Sequence, residues 1–378
     1  LKGDRSCMIF PEGQMIKDKK LVEKGKYFIY NSGIRRPPHT GAGILALRSE
    51  LIRSRMRHLH DVGEQSELDS LMEYFSISGP DQLRTVIEQE TFIVPVNITY
   101  FPVRARNNII NRIAHMFIHN LPERIEEELQ VEGTMLLDGV DIDINFGEPL
   151  PIAPYMDSRS MKKRITGPGM TPAAMDPAGD RHLRALGLKF MYRYMERIYG
   201  MTTVNHDHIF ATLLLKHNKR RISCDDFRNR AFLAIDEIRH VNMQSHHTNL
   251  KLKQTYLLTD DVHGRYNDFI EAAKSDGLIF EDRGFLYKNR ERFSNPYEFH
   301  TIRRDNIIEV LHNEIEPLKE VVKSINWIMR TPGCLIKRKI RNLVYRRDLE
   351  IFEKDYRCFF RKDESKPEHI GRPFFLKR

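Results

Sequence analysis

The chain has 378 residues, 40% hydrophobic and 30% charged, with one Trp and four Cys. That length suits two or three domains with full cores and excludes a disulfide-stapled miniprotein or a low-complexity tail. No run approaches the roughly 18 consecutive apolar residues of a membrane-spanning helix. Cys7, Cys224, Cys334 and Cys358 form no CxxC pair, which argues against a secreted scaffold or a cysteine-type zinc site and for a reduced, cytoplasmic-type compartment. The net charge of +9 is concentrated late: residues 331–378 hold 14 Lys+Arg against 7 Asp+Glu, leaving 47 against 45 over residues 1–330. Such a basic tail attracts anionic partners, whether lipid headgroups, nucleic acid or phosphorylated ligands.

In chain order, Ser6-Cys7-Met8-Ile9-Phe10 reads as a short buried strand closed by Pro11 and Gly13. A basic stretch with Lys17, Lys19, Lys20, Arg35 and Arg36 follows, then a helix-like start at Gly41-Ala42-Gly43. Residues 50–90 are charged and mostly helical, broken at Ser78-Gly79-Pro80. Thr91 to Tyr100, rich in β-branched and aromatic residues, predicts a strand with Pro95 at an edge or bulge. Asn108 to Gln130 predicts a helix, and Val140 to Phe146 alternates apolar and acidic residues as a half-buried strand does. Residues 1–150 therefore predict an α/β domain.

Residues 151–181, rich in Pro, Gly, Met and Arg, predict a linker. Residues 182–330 predict a mostly helical domain, with Leu183, Leu186, Phe190, Tyr194 and Ile198 at helical spacing. Asn205 and Ser223 are expected N-caps, and 277–288 a hairpin turning at Asp282-Arg283-Gly284. Residues 331–378 form the basic tail, in which 335–351 predict an amphipathic helix with apolar positions 336, 340, 343/344 and 351. That helix suits a membrane interface, with packing on its own domain as the alternative.

The sharpest local signal is Phe10-Pro11-Glu12-Gly13, followed by the Gly41-Ala42-Gly43 helix start and by Phe92-Ile93-Val94-Pro95-Val96. This order resembles the glycerolipid acyltransferase family, whose members acylate glycerol-3-phosphate or 1-acylglycerol-3-phosphate. Phe146-Gly147-Glu148-Pro149 resembles the strand end that closes the family's domain. The resemblance covers residues 1–150 and, more loosely, 204–215 and 304–318. It implies the C-terminal portion of an α/β acyltransferase domain followed by a helical accessory domain.

The same resemblance implies site residues. Phe10, Pro11, Glu12 and Gly13 would meet the acceptor, with Glu12 accepting a hydrogen bond from a glycerol hydroxyl. Lys17, Arg35 and Arg36 would meet phosphate. Val94, Pro95 and Val96 would wall the acyl-thioester channel. The family's His-x4-Asp base motif precedes Phe-Pro-Glu-Gly and is expected upstream of Leu1, so no catalytic base is assigned within the chain. His263 with Asp268 and His300 with Asp305 have the spacing but follow the motif. Gln14-Met15-Ile16-Lys17 departs from the family's Arg-Ser pattern, and residues 50–90 resemble an insertion.

Asn205-His206-Asp207-His208 is expected to be a helix cap with solvated side chains, and the cysteines buried apolar residues. No metal and no resident cofactor are expected. Acyl-CoA or acyl carrier protein would be the co-substrate, a phosphorylated glycerol the acceptor, and an anionic membrane surface the peripheral attachment. The alternative is a non-catalytic lipid- or nucleic-acid-binding protein, although the mixed charge of Glu281, Asp282 and Arg283 speaks against nucleic acid.

Overall fold

The computed structural model describes residues 7–11, 22–23, 26–31, 34–102, 140–168, 181–241, 246, 250, 255–258, 264–294 and 306–345. Two short antiparallel hairpins come first, β1 (Val22–Glu23) with β2 (Lys26–Tyr27) and β3 (Ile29–Asn31) with β4 (Ile34–Arg36). Helix α1 (Gly41–Val62) then runs 22 residues to Gly63, whose positive φ of 76° ends it. Helices α2 (Gln65–Tyr74) and α3 (Gly79–Glu88) fold back on it, so 50–90 has its own core of Ile52, Met56, Leu59, Leu68, Leu71, Leu83 and Val86. Ser78-Gly79-Pro80 starts α3 as a helix entry, with Pro in the first turn. Buried Arg55 ties α1 to α2 through Glu67 at 2.7 Å.

The expected α/β domain is met only in part. Among the described residues of 1–150, every paired strand is antiparallel and every sheet two-stranded: β5 (Phe92–Ile93) with β8 (Leu150–Pro151), and β6 (Val96–Phe101) with β7 (Asp141–Phe146). The described chain is mostly helical with small sheets. Cys7 to Phe10 form no strand, and Met8, Ile9 and Phe10 are exposed where burial was expected. A short apolar run carries no information about a pairing partner, and here it has none among the described residues. The helix expected over Asn108 to Gln130 lies outside the described residues.

The β6·β7 hairpin reverses the expected burial. Its alternation is present, but Ile142, Ile144 and Phe146 are 54%, 53% and 73% exposed, while Asp143 and Asn145 are half-buried. Register pairs Val96 with Phe146, Ile98 with Ile144 and Tyr100 with Ile142, so one face is wholly apolar and faces outward. The inward face carries Asn97, Thr99 and Phe101, all buried.

The expected linker is also packed structure. Residues 153–157 form a 3₁₀ turn and α4 (Arg159–Thr166) follows, capped by Ser158. Ile152, Met156 and Met161 enter a core with Leu47 and Leu51 of α1 and Phe190, Tyr194 and Tyr199 of α5 (Arg181–Gly200). Gly43 and Gly187 let α1 and α5 approach closely: a Cβ on Gly187 would stand 2.6 Å from Ile44 Cγ1. Only 169–180 of the expected linker lie outside the described residues.

A second core follows. Helix α6 (His206–Lys216), β9 (Arg221–Ser223), α7 (Cys224–His240), α8 (Arg265–Ser275), β10 (Ile279–Asp282) and β11 (Phe285–Lys288) run in that order, with strands paired β10-β11-β9. Three helices beside an antiparallel sheet, its hairpin last and its first strand on the hairpin's outer edge, form a winged-helix topology. Arg283 (φ 47°) and Gly284 (φ 75°) make the two-residue hairpin turn expected from the sequence. After a short α9 (Arg290–Ser294), helices α10 (Ile307–Ile315), α11 (Lys319–Arg330) and α12 (residues 333–345) close this core.

The apolar stripe of α12 lies inside that core: Ile336 and Ile340 are buried, and Leu343 and Val344 pack against the same cluster. These four positions are thus not available to a bilayer and follow the alternative of packing on their own domain, while residues 346–351 of the expected helix lie outside the described residues. Lys337, Arg338 and Arg341 remain exposed. No helix among the described residues is long and apolar enough to cross a membrane.

Candidate functional site

Phe10 and Pro11 lie beside the entrance to α1. The Pro11 carbonyl accepts from the His39 amide at 2.8 Å, and the His39 carbonyl accepts from the Tyr194 hydroxyl at 3.0 Å. Pro11 is buried and Phe10 exposed. Thr40, at the N-cap, makes no side-chain cap bond, and the first turn of α1 holds no carboxylate. Glu12, Gly13 and Lys17 lie outside the described residues. Arg35 and Arg36 are placed by backbone in β4, paired with Tyr30 and Ile29.

The second motif sits on the hairpin. Pro95 is buried and its carbonyl accepts from the Gly147 amide at 2.8 Å. Val94 is exposed, and Val96 is half-buried opposite Phe146. A Cβ on Gly147 would stand 2.9 Å from Sδ of the flexible Met201 side chain and 3.4 Å from the Pro95 carbonyl, so the hairpin end packs closely against Met201. The structure therefore brings Val94-Pro95-Val96 together with Phe146-Gly147, two stretches far apart in sequence.

Behind the hairpin is a buried polar layer that the sequence reading missed. Thr99 Oγ1 donates to Asn97 Oδ1 (2.9 Å) and accepts from the Thr203 amide (3.1 Å). Asn145 Nδ2 donates to the Met201 carbonyl (3.0 Å) and to Thr203 Oγ1 (2.8 Å). This favours the reversed face of β6·β7: Thr99 and Asn145 find partners just past α5, and unpaired they would be costly to bury, as the one buried Asp143 oxygen without a hydrogen-bond partner is.

The layer continues into α6. Asn205 caps the helix by accepting from the His208 amide (3.1 Å), and His208 Nδ1 accepts from the Asn205 amide (3.2 Å). That occupation of Nδ1 fixes the Nε2–H tautomer, so Nε2 donates to Glu314 Oε2 at 2.8 Å. The cap expectation holds but the solvated side chains do not, since Asn205, His206, Asp207 and His208 are all buried. One helical turn further, Thr212 Oγ1 and His312 Nδ1 are 3.2 Å apart. Sealed from solvent, His208 and His312 join α6 to α10 rather than meet a substrate. The signal in the sequence was seven residues from Thr202 to His208, six of them polar, abutting a run from Ile209 to Leu214 that is apolar but for Thr212.

Ser223 caps α7 as expected, accepting from the Asp226 amide at 3.1 Å. The cysteines do not follow expectation: Cys7 and Cys334 are exposed, and Cys224 is half-buried. Burial first, then the Glu281 carboxylate, push the Cys224 thiol up to about 11, so it is no nucleophile near neutral pH. Cys358, His263, His300 and Asp305 lie outside the described residues. Among the described residues no group of three or more His, Cys, Asp or Glu side chains could hold a metal ion.

Residues 141–281, from the first residue of β7 into β10, match the family model described as the glycerol-3-phosphate acyltransferase C-terminal region. Over these residues the chain is similar to the C-terminal region of glycerol-3-phosphate acyltransferases, a likeness that supports an acyltransferase of glycerolipid synthesis. No curated protein and no solved structure matches the chain. The match falls mainly on the helical part, where the sequence resemblance was loosest, and so adds evidence that the motifs of residues 10–13 and 92–96 do not supply.

Proposed function

We propose that this chain belongs to an enzyme that moves a fatty acyl group from acyl-CoA or acyl carrier protein to a hydroxyl of glycerol-3-phosphate. The observation that carries this reading is the β6·β7 register. It pairs the Pro-Val motif strand residue by residue with the first strand of the family-matched region. In the reaction the acceptor oxygen attacks the thioester carbonyl, its proton passes to a base, and the thiol leaves. Such a base contributes typically about 10²–10⁴-fold. It is not assigned to a residue of this chain.

Glu12 accepts a hydrogen bond from the acceptor's glycerol, Lys17, Arg35 and Arg36 meet its phosphate, and Val94, Pro95 and Val96 border the acyl chain. The exposure of Val94 and the outward apolar face of Ile98, Tyr100, Ile142, Ile144 and Phe146 support a lipid-handling surface at that end. In the enzyme carrying this chain, Glu12→Ala should lower kcat/KM for glycerol-3-phosphate about 10- to 100-fold, the worth of one charged hydrogen bond. Thiol release with glycerol-3-phosphate and with lysophosphatidate as acceptors measures it. Unchanged kinetics at matched thermal stability would remove Glu12 from the site, and preference for lysophosphatidate would change the acceptor.

Attachment to a membrane is read as electrostatic and peripheral. The exposed Lys337, Arg338 and Arg341 each contribute about 1 kcal/mol near anionic lipid, without insertion of the buried α12 stripe. Co-sedimentation with anionic vesicles should occur at low salt and vanish at high salt, where exposed charges are screened. Salt-resistant binding, or binding to neutral vesicles, would contradict it.

A further inference from the structure

The three-stranded sheet β10-β11-β9 has two unlike faces. Ile279, Leu286 and Ile222 face the second core and are buried. Register places Phe280 beside Tyr287 and Tyr287 beside Arg221, with Phe285 beside Ser223, so the outer face carries an aromatic row ending at a cation. The Phe280 and Tyr287 rings stack with centroids 4.9 Å apart and planes within 4°. The Arg221 guanidinium lies 4.7 Å from the centre of the Phe285 ring. Cross-strand aromatic pairs do stabilise sheets, but that need does not call for the cations gathered at the sheet's edge.

Lys219, Arg220 and Arg221 are consecutive and exposed, and with Phe285 and Tyr287 they line an open depression of about 610 Å³. Lys219 and Arg220 have no ion pair among the described residues. Their turn is held in place from β11: the Lys288 amide donates to the Arg220 carbonyl (3.2 Å), and Lys288 Nζ donates to the His217 carbonyl (2.6 Å). His217 Nε2 stands 2.8 Å from the Arg221 carbonyl. The cations are thus presented on a fixed backbone, which reduces the ordering cost of binding. Asp282 is the one carboxylate among the described strand residues of this face, across β11 from the cations.

We propose that this face binds a phosphorylated purine nucleotide, its base stacked on Phe285 and Tyr287 and its phosphates on Lys219, Arg220 and Arg221. Phosphate alone would use the cations and leave the aromatic row idle; a purely apolar ligand would do the reverse. A flat π-system joined to clustered negative charge uses both. The nucleotide head of a coenzyme thioester and a free nucleotide share this chemistry. Duplex nucleic acid does not fit: the exposed side of α8 carries Asn267, Asp268 and Glu271, and Lys274 is tied to Glu271 (3.2 Å) and Glu281 (2.7 Å). This site shares no residue with those assigned to acyl transfer, so its test does not depend on acyl transfer.

Calorimetric titrations of the whole protein with adenosine 3′,5′-bisphosphate, ATP, coenzyme A, inorganic phosphate and a single-stranded purine oligonucleotide test the proposal. The nucleotides should bind at least about tenfold tighter than phosphate. Stronger binding of coenzyme A than of ATP identifies the coenzyme head as the source, and the reverse identifies a free nucleotide. Tyr287→Ala should weaken nucleotide binding about 5- to 100-fold, the usual worth of one stacked base. Lys219→Gln with Arg220→Gln, both exposed and outside the core, should weaken it roughly tenfold. The double variant keeps the test decisive should Tyr287→Ala disturb the sheet. Nucleotide affinity no better than that of phosphate, or unchanged in the double variant, overturns the proposal. An oligonucleotide far tighter than any mononucleotide overturns it in favour of single-stranded nucleic acid.

Discussion

Phe210→Ala should cost about 3–5 kcal/mol of unfolding free energy, the range for emptying a large aromatic site in a closed core. Phe210 is fully buried on α6, with ring centroids 5.5 Å from Phe269, 6.1 Å from Tyr266, 6.3 Å from Phe227 and 5.9 Å from His206. It is thus bounded by α7 and α8 as well as by its own helix, and little can collapse into the space it leaves. Urea unfolding followed by the fluorescence of Trp327 reads this core selectively. Trp327 is the chain's one tryptophan and lies on α11, beside the ammonium of Lys339 at 3.7 Å. A loss below about 1 kcal/mol would mean that α6 is not packed at the centre of the second core.

The second large effect is acid destabilisation through His312. Its side chain is 4% exposed, and burial first, then the Lys216 charge, push its pKa down to about 4. The unfolded ring titrates near 6.5. The folded state thus favours the neutral ring, and the associated stability is fully present above about pH 6.5. It is lost as pH falls through 6.5 towards 4, with a total of about 3 kcal/mol. His312→Gln retains a polar partner for Thr212 without titrating. The difference between wild-type and variant stability, measured by denaturant between pH 7 and 4, should therefore shrink by about that amount. Taking the difference removes His217, which is also pushed down, mainly by burial. Parallel stability curves for the two proteins would rule out a neutral buried His312.

Several local conformations were legible in the sequence, each for its own reason. Helix periodicity at Leu183, Phe190 and Tyr194 gave α5, because each of these positions recurs on one side of a 3.6-residue turn and is buried there. Asn205 and Ser223 sit at helix starts because their short side chains reach amides two or three residues on. Asp282-Arg283-Gly284 turned as expected, two residues with positive φ between paired strands. Each of these features is decided within a few residues of chain.

Capped helix starts, the helical period of α5 and the turn at 282–284 were thus legible locally, whereas the strand expected at Ser6 to Phe10 and the linker expected over 151–181 were not. The tertiary structure alone decided which side of each element is inside. The alternation over Asp141 to Phe146 shows that two faces differ, but a period of two is the same whichever face points inward. Here Thr203 and Met201, more than 50 residues away, supply hydrogen bonds that draw Asn145 in and leave Ile142, Ile144 and Phe146 out. The stripe of α12 is likewise amphipathic in sequence whether it meets lipid or protein, and it meets the core of α6, α7 and α11 because that core lies within reach. The burial of His208 follows from Glu314, 106 residues on, which accepts its proton-bearing nitrogen. Local pattern fixes conformation because it acts through neighbouring backbone; burial depends on partners that only the folded chain brings near.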